Sequence, residues 1–315
     1  MLKKLLTLSI VGSLSSAFAL QNVTIGTGGL NGTYYPTGKT ICELFEDSKT
    51  NESSKCTAVQ TNGSFYNINA LIKNDLDFGI AQSDVIYHAL QGEGKFQGKR
   101  LSNIRSIMAI YPELLSLVVR EDAGIQTLNE IKGKRINLGN TGSGNETTVK
   151  TVFDQFNIKN SDLLLWHTSS TQDAPVALEK NTIDGYFYMV GHPAKNIIEA
   201  QKLTPINLIS IEGENADKLI QKYPYYAKGY IPANTYKGID KDINSIGVKA
   251  VLVTTKEMND ETVQKIIKSV MDNFEEFKQK NPAYSSITKE SLLEGLSAPL
   301  HKSAKEYYQS IDILK

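Results

Sequence analysis

The stretch VTIGTGGLNGTYYPTGK, residues 23–39, crowds glycines against two adjacent tyrosines. The alternation of Val23 and Ile25 predicts a short strand, Gly26 to Gly32 a tight loop, and Thr33 onward a helix. A helix reached through such a loop presents unpaired backbone N–H groups and the positive end of its dipole, which is a place to hold an anion. The same layout returns in RINLGNTGSGNETTVKTVFDQF, residues 135–156. A second pattern is also repeated. NALIKNDLDFGIAQSD, residues 69–84, runs from a helix end through Asp75 or Asp77 into a strand and a new helix start, and PVALEKNTIDGYFYMVGHP, residues 175–193, does so through Asp184.

This duplication is of architecture rather than of residues. Strand-like runs such as IRSIMAI, LLSLVVR, LLLWHTS, PINLISI and GVKAVLVTT alternate with helical stretches, which implies α/β lobes with parallel sheets covered by helices. Two lobes with glycine-rich helix starts at the carboxyl ends of their strands can face each other across a cleft, where ligands gather in open α/β sheets. The expected division is a leader over residues 1–19, one lobe over 20–120 and 247–315, and the other over 121–246. In the tail, Val263, Ile266, Ile267, Val270, Met271 and Phe274 recur at helical spacing, an ordinary core stripe.

The first residues, MLKKLLTLSIVGSLSSAFA, place two lysines before a short apolar run that ends in an A-x-A pattern, predicting a signal peptide cut after Ala19 and a periplasmic location. Loss of Lys3 and Lys4 takes the basic residues from 34 to 32 against 34 acidic ones. A nearly neutral chain argues against nucleic acid or an anionic membrane surface as partner. Cys42 and Cys56 both survive the cut, and in an oxidising compartment such a pair reads as one disulfide, worth about 3 kcal/mol by loop entropy. The four histidines are scattered, so no metal is assigned.

Enzyme motifs fail in detail. Asn31 breaks a G-x-G-x-x-G reading of the first loop, Thr33 stands where a phosphate loop ending in Gly38-Lys39-Thr40 needs glycine, and Thr141 spoils a G-x-S-x-G around Ser143. The expectation is therefore a binding protein with no catalytic residue and no cofactor. Candidate ligand contacts are Thr27, Gly28 and Tyr34 at the first helix start, and Gln82 and Asp84 at the third. In the second lobe they are Thr141, Ser143, Gly144 and Asn145; Tyr111, ahead of the hinge strand, and Tyr188, in the last repeated strand, either stack on a ligand or close the core. Helix capping competes with ligand binding for Ser143, Asn145 and Asp84. If Asp84 lines the cleft it favours an ammonium-bearing solute; if it caps a helix it says nothing about the solute. The tyrosine-rich KYPYYAKGYIPANTYKG, residues 222–238, reads as a packed surface loop.

Taken together, VTIGTGGLNGTYYPTGKTICELF, NINALIKNDLDFGIAQSD, GKRINLGNTGSGNET, GHP, YPYYAKGYIPANTYKG and GLSAPLHKSA resemble the TAXI-type solute receptors of TRAP transporters over nearly the whole mature chain. The resemblance implies a two-lobed periplasmic binding protein of type II. Such a protein closes on glutamate or a related dicarboxylate or oxo acid and delivers it to an ion-gradient-driven permease, typically as a monomer. Cys42 and Cys56 match a pattern in one branch of that family. Unlike TRAP receptors that use an arginine fork, no arginine falls at these helix starts; Arg105, Arg120 and Arg135 sit beside or within strands. Backbone N–H groups, hydroxyls and amides are therefore expected to carry the anion. A sensor subunit and an enzyme on the same scaffold are the competing functional classes.

Overall fold

The computed structural model describes residues 22–48, 54–167 and 170–314. The leader and its cleavage after Ala19 lie outside these residues. Strand β1 (Asn22–Gly26) leads through the glycine loop to helix α1 (Tyr34–Asp47). It is followed by β2 (Lys55–Val59), α2 (Ser64–Ile72), β3 (Phe78–Gln82) and α3 (Ser83–Gln91). The long strand β4 (Ile104–Arg120) opens a second series: β5 (Arg135–Asn137), α4 (Gly144–Phe156), β6 (Leu165–His167), α5 (Ala174–Glu179), β7 (Gly185–Val190) and α6 (Lys195–Leu203). β8 (Ile206–Ile209), α7 (Glu214–Lys222) and β9 (Ala227–Ile231) precede β10 (Ile243–Thr255). Helices α8 (Asp260–Asp272), α9 (Phe274–Gln279) and α10 (Lys302–Ser310) complete the order.

The strand order β2-β1-β3-β10-β4-β7-β5-β6 is close to a mirror of itself. The trios β2-β1-β3 and β7-β5-β6 are each parallel, whereas β10 and β4 run antiparallel to their neighbours. The sheet is thus mixed rather than parallel throughout. β4 pairs with β10 through its first part and with β7 from Leu114 to Val119, so it passes from one half of the molecule to the other. β10 makes the reverse passage, from β9 at residues 243–247 to β3 at residues 250–253. The runs IRSIMAI and LLSLVVR, which look like two strands, are this single β4. Pro112, which has no N–H to donate, sits exposed between them, two residues before the pairing with β7 begins.

Apolar residues on both faces of each half form separate cores. In the first half, Ile25, Ile41, Phe45, Phe78 and Val263 pack on one face, and Ile68, Leu71, Val85 and Val251 on the other. In the second half the sets are Leu117, Ile136, Val149 and Phe187, and Val118, Leu178, Tyr186 and Ile197. Strands covered on both sides explain the continuous apolar runs. The α8 stripe is buried as its spacing predicts.

The duplication is visible in hydrogen bonds. Asp77 accepts from Thr24 N at 2.8 Å, tying the start of β3 to β1. Asp184 accepts from Arg135 N at 2.8 Å and from its Nε at 3.0 Å, tying β7 to β5 in the same way. Buried Asn67 of α2 donates to Thr27 O and Ile80 O, while Asn145 of α4 donates to Leu138 O and Phe187 O. Cys42 and Cys56 form the expected disulfide, joining α1 to β2 with 4.9 Å between Cα atoms. Residues 222–238 differ from the surface-loop expectation: Ala227–Ile231 pair with β10, and Tyr225, Tyr226 and Tyr236 are buried.

Candidate functional site

A cavity of about 80 Å³ lies between the carboxyl ends of the two parallel trios. Its wall contains the α1 entry from Gly28 to Tyr34, the α2 start at Gly63 and Ser64, Gln82 before α3, the α4 entry from Asn140 to Asn145, and Thr171 with Gln172 before α5. Tyr188 of β7 and Glu113 of β4 close it. Helices α1, α2 and α3 all begin without a side-chain cap. In α1 and α2 no N-cap side chain meets the first-turn N–H groups, whereas in α3 the Val85 N–H is taken by Asp84 Oδ1 at 2.8 Å; all three helices begin at the cavity wall.

Of the expected contacts, Gly28, Tyr34, Gln82, Ser143, Gly144, Asn145 and Tyr188 come together here. Two of these use their polar atoms internally. Ser143 caps α4 by accepting from Glu146 N at 3.2 Å and donates to Asn140 O at 2.7 Å. Asn145 spends both amide protons on strand ends, and its Oδ1 accepts from Met189 N. Between Tyr34 and Tyr35, Tyr34 is the buried one; its hydroxyl donates to Glu113 Oε2 at 2.8 Å.

Four expected contacts lie outside the wall. Thr27 is fully buried, and its hydroxyl donates to Val59 O, closing the loop onto β2. Tyr111 is stacked on Tyr284 with ring centroids 5.5 Å apart, within the core. Thr141 is exposed at the loop tip. Asp84 is fully buried beside the site, where it accepts from Thr148 Oγ1 of α4 at 2.8 Å and from Tyr226 OH at 3.4 Å. Burial raises its pKa despite these donors. Its Oδ2 partners belong to the second half of the chain, while its Oδ1 accepts from Val85 N at 2.8 Å in its own helix, so Asp84 links the halves and ties its own helix start rather than facing a solute, and the inference to an ammonium group falls with it.

Glu113 was missed as a contact. It is 2% exposed, and burial pushes its carboxyl up to about 8, against the lowering effect of the Tyr34 hydroxyl. Its signal was available: the one acidic residue of a 17-residue strand, flanked on both sides by mainly apolar runs. Among the described residues, the wall holds no lysine, arginine or histidine. Arg105 instead bonds Ser102 O and Ile104 O, while Arg120 and Arg135 engage Asp184.

The halves meet closely around the cavity. Gln82 Nε2 donates to Thr148 Oγ1 at 3.4 Å, His88 and Tyr225 share a hydrogen bond at 2.9 Å, and Lys95 pairs with Glu146 at 2.7 Å. Asn31 donates to Glu199 at 3.0 Å. Glycines allow this approach: a methyl group at Gly144 would meet Gln82 Cδ at 2.5 Å and Ser64 Oγ at 3.0 Å, and one at Gly32 would meet Tyr188 OH at 2.7 Å.

Among the described residues, no helix is long and apolar enough to cross a membrane. The fold is similar to that of MatC from Rhodopseudomonas palustris, solved with bound malate, at a TM-score of 0.61 and 12% identity, over 95% of this chain and 100% of that one. A protein from Bordetella bronchiseptica RB50 gives 0.55 at 15% identity over 92% and 98% of the two chains. A putative L-cystine ABC transporter from Listeria monocytogenes gives 0.50 at 13% over 90% and 99%. At such identities the likeness establishes a shared architecture, a mixed α/β fold with interleaved helices and strands. The profile of the NMT1-like family matches residues 25–311, and the chain belongs to that family.

Proposed function

We propose that the protein is an extracytoplasmic solute receptor that binds a small carboxylate between two lobes and hands it to a membrane permease of the TRAP type. The lobes are residues 20–120 with 247–315, and residues 121–246. The observation that carries this reading is the cavity walled by uncapped helix starts, with no cationic side chain among the described wall residues. Helix N-termini stabilise negative charge through their N–H groups and dipole, so an anion can be held without arginine. A carboxylate also fits the TAXI-type resemblance of the sequence, and the bound malate of MatC gives one instance of a carboxylate on this architecture.

In this reading the solute first contacts one lobe, and closure about β4 and β10 adds the donors of the other, so the closed form is favoured when the gap is filled. Export would place the receptor in the periplasm as a monomer. The test is to unfold and refold the mature chain, stripping carried-over solute, and then to measure thermal shifts against small carboxylates. A ligand at about 100 times its dissociation constant adds about 2.7 kcal/mol. A shift with an acidic compound that is recovered chemically unchanged supports a receptor. Turnover of that compound would show an enzyme instead, and silence across the set would refute the carboxylate.

A further inference from the structure

Glu113 stands apart from every other group in the wall. One oxygen, Oε2, accepts from Tyr34 OH; among the described residues Oε1 has no protein partner, and the side chain faces the cavity. The titratable groups packed around it are Tyr34 from α1, Tyr111 from β4, Asp84 from α3 and Tyr188 from β7. None of them is a cation. His192, just past β7, is half-buried and lowered to about 4 by desolvation, and Lys249, opposite Pro112 on β10, reaches Glu294 at 3.7 Å. An ionised Glu113 would be a buried charge with the Tyr34 hydroxyl as its one donor and no cation beside it among the described residues.

Building on the carboxylate reading above, we propose that Glu113 meets the solute as a neutral carboxylic acid and donates its proton in a hydrogen bond to an anionic oxygen. It thereby selects carboxylates that lack an ammonium group. Its geometry suits this: Tyr34 fixes Oε2 as the acceptor, leaving Oε1 to carry the proton toward the cavity. Burial holds the carboxyl up to about 8, so the donor form prevails at neutral pH. An ammonium group would require Glu113 to ionise and would face the positive ends of several helices at once. An oxo or hydroxy acid meets neither obstacle, so it should bind better than the amino acid of the same skeleton.

The test uses matched pairs on the refolded mature protein: pyruvate with alanine, oxaloacetate with aspartate, and 2-oxoglutarate with glutamate, titrated calorimetrically from about pH 6 to about pH 9.5. The expected result is that the oxo member of the binding pair is favoured at least tenfold. Its affinity should fall about tenfold per pH unit above about pH 8 as the proton is lost. In Glu113→Gln, whose amide still donates, the alkaline fall should disappear. An amino acid that binds more tightly than its oxo partner, together with loss of that binding in Glu113→Gln, would overturn the assignment while leaving a carboxylate receptor intact. Oxo-acid binding that is flat with pH in the unaltered protein would overturn it too, whether or not the variant folds. No binding by any pair would remove the carboxylate reading itself and the assignment with it.

Discussion

Replacing Glu113 with glutamine should stabilise the solute-free protein, and by an amount that depends on pH. The carboxyl ionises near 4.5 when exposed and is held up to about 8 when folded. Between those values the folded chain keeps a proton that the unfolded chain has released. Stability is therefore greatest below the unfolded value and is lost as pH rises toward the folded one. At about 1.36 kcal/mol per pH unit, the loss by pH 7 is about 3 kcal/mol relative to a side chain that never ionises. Glutamine retains an oxygen to accept from Tyr34, so the variant keeps that bond while escaping the penalty. Urea unfolding of both proteins, stripped of solute, should give stability curves that diverge by roughly 2–3 kcal/mol between about pH 5 and pH 7 and run parallel above about pH 8. The surrounding tyrosines are common to both proteins, whereas Asp84 interacts with Glu113 and its own titration shifts with the substitution. Curves that stay parallel throughout would refute the claim that Glu113 is buried uncharged.

Three further outcomes follow from the contacts between the halves and from the disulfide. Gly144→Ala should leave the fold intact, since alanine suits the first turn of α4, yet weaken solute binding at least tenfold because the methyl group collides with Gln82 and Ser64 on closure; calorimetry with a verified solute and circular dichroism separate the two effects. Asp84→Ala removes the acceptor for Thr148 and Tyr226, and at about 1 kcal/mol per hydrogen bond it should shift the protein toward an open form, seen as a larger radius of gyration in solution scattering. An unchanged radius would show that closure does not depend on this carboxyl. Cys42→Ser with Cys56→Ser should lower stability by about 2–4 kcal/mol without altering affinity, because the disulfide lies behind the first half, joining α1 to β2 and away from the cavity wall.

What the sequence disclosed depended on whether the partner of a residue was near in sequence or repeated. The strand, glycine loop and helix of residues 23–39 are local, and their second occurrence at residues 135–156 made the two-part architecture readable before any contact was known. Asp184 was readable for the same reason, since it precedes a strand in a repeated phrase, whereas its counterpart was readable only as Asp75 or Asp77 until the bond from Thr24 N picked Asp77. Asp84 was not: its partners Thr148 and Tyr226 are 64 and 142 residues away, and locally it looks like any acid in a first helical turn. Ser143 and Asn145 illustrate a different difficulty. They do line the cavity, but residue type alone does not tell whether a polar atom is left over after capping and strand-tying. Glu113 was overlooked because Tyr111, two residues earlier, drew attention as a candidate stacking surface, although it turned out to be core.

The contacts joining the halves share a property that bears on how such a receptor would open. Among the described residues they are mostly hydrogen bonds with the ion pair of Lys95 and Glu146, beside the packing of Tyr87 and His88 on Tyr225, and the glycine approaches bring backbone against side chain. The four apolar cores each lie mainly within one half, with Tyr87 of α3 among the few side chains that reach across. Each polar contact exchanges with water on opening, so its net worth is about 0.5–1.5 kcal/mol rather than its full strength. A closed form assembled from such pieces is not locked as an apolar interface would lock it. A solute that contributes differential binding of about 5.5 kcal/mol is enough to carry a two-state equilibrium from one part in a hundred closed to nearly all closed. The ion pair adds a salt-dependent share, because Lys95 is partly exposed while burial is severe only at Glu146. In the proposed receptor, an arrangement that would hold an anion without arginine would thus also leave closure weak enough to be reversed, which is what delivery, as opposed to storage, requires.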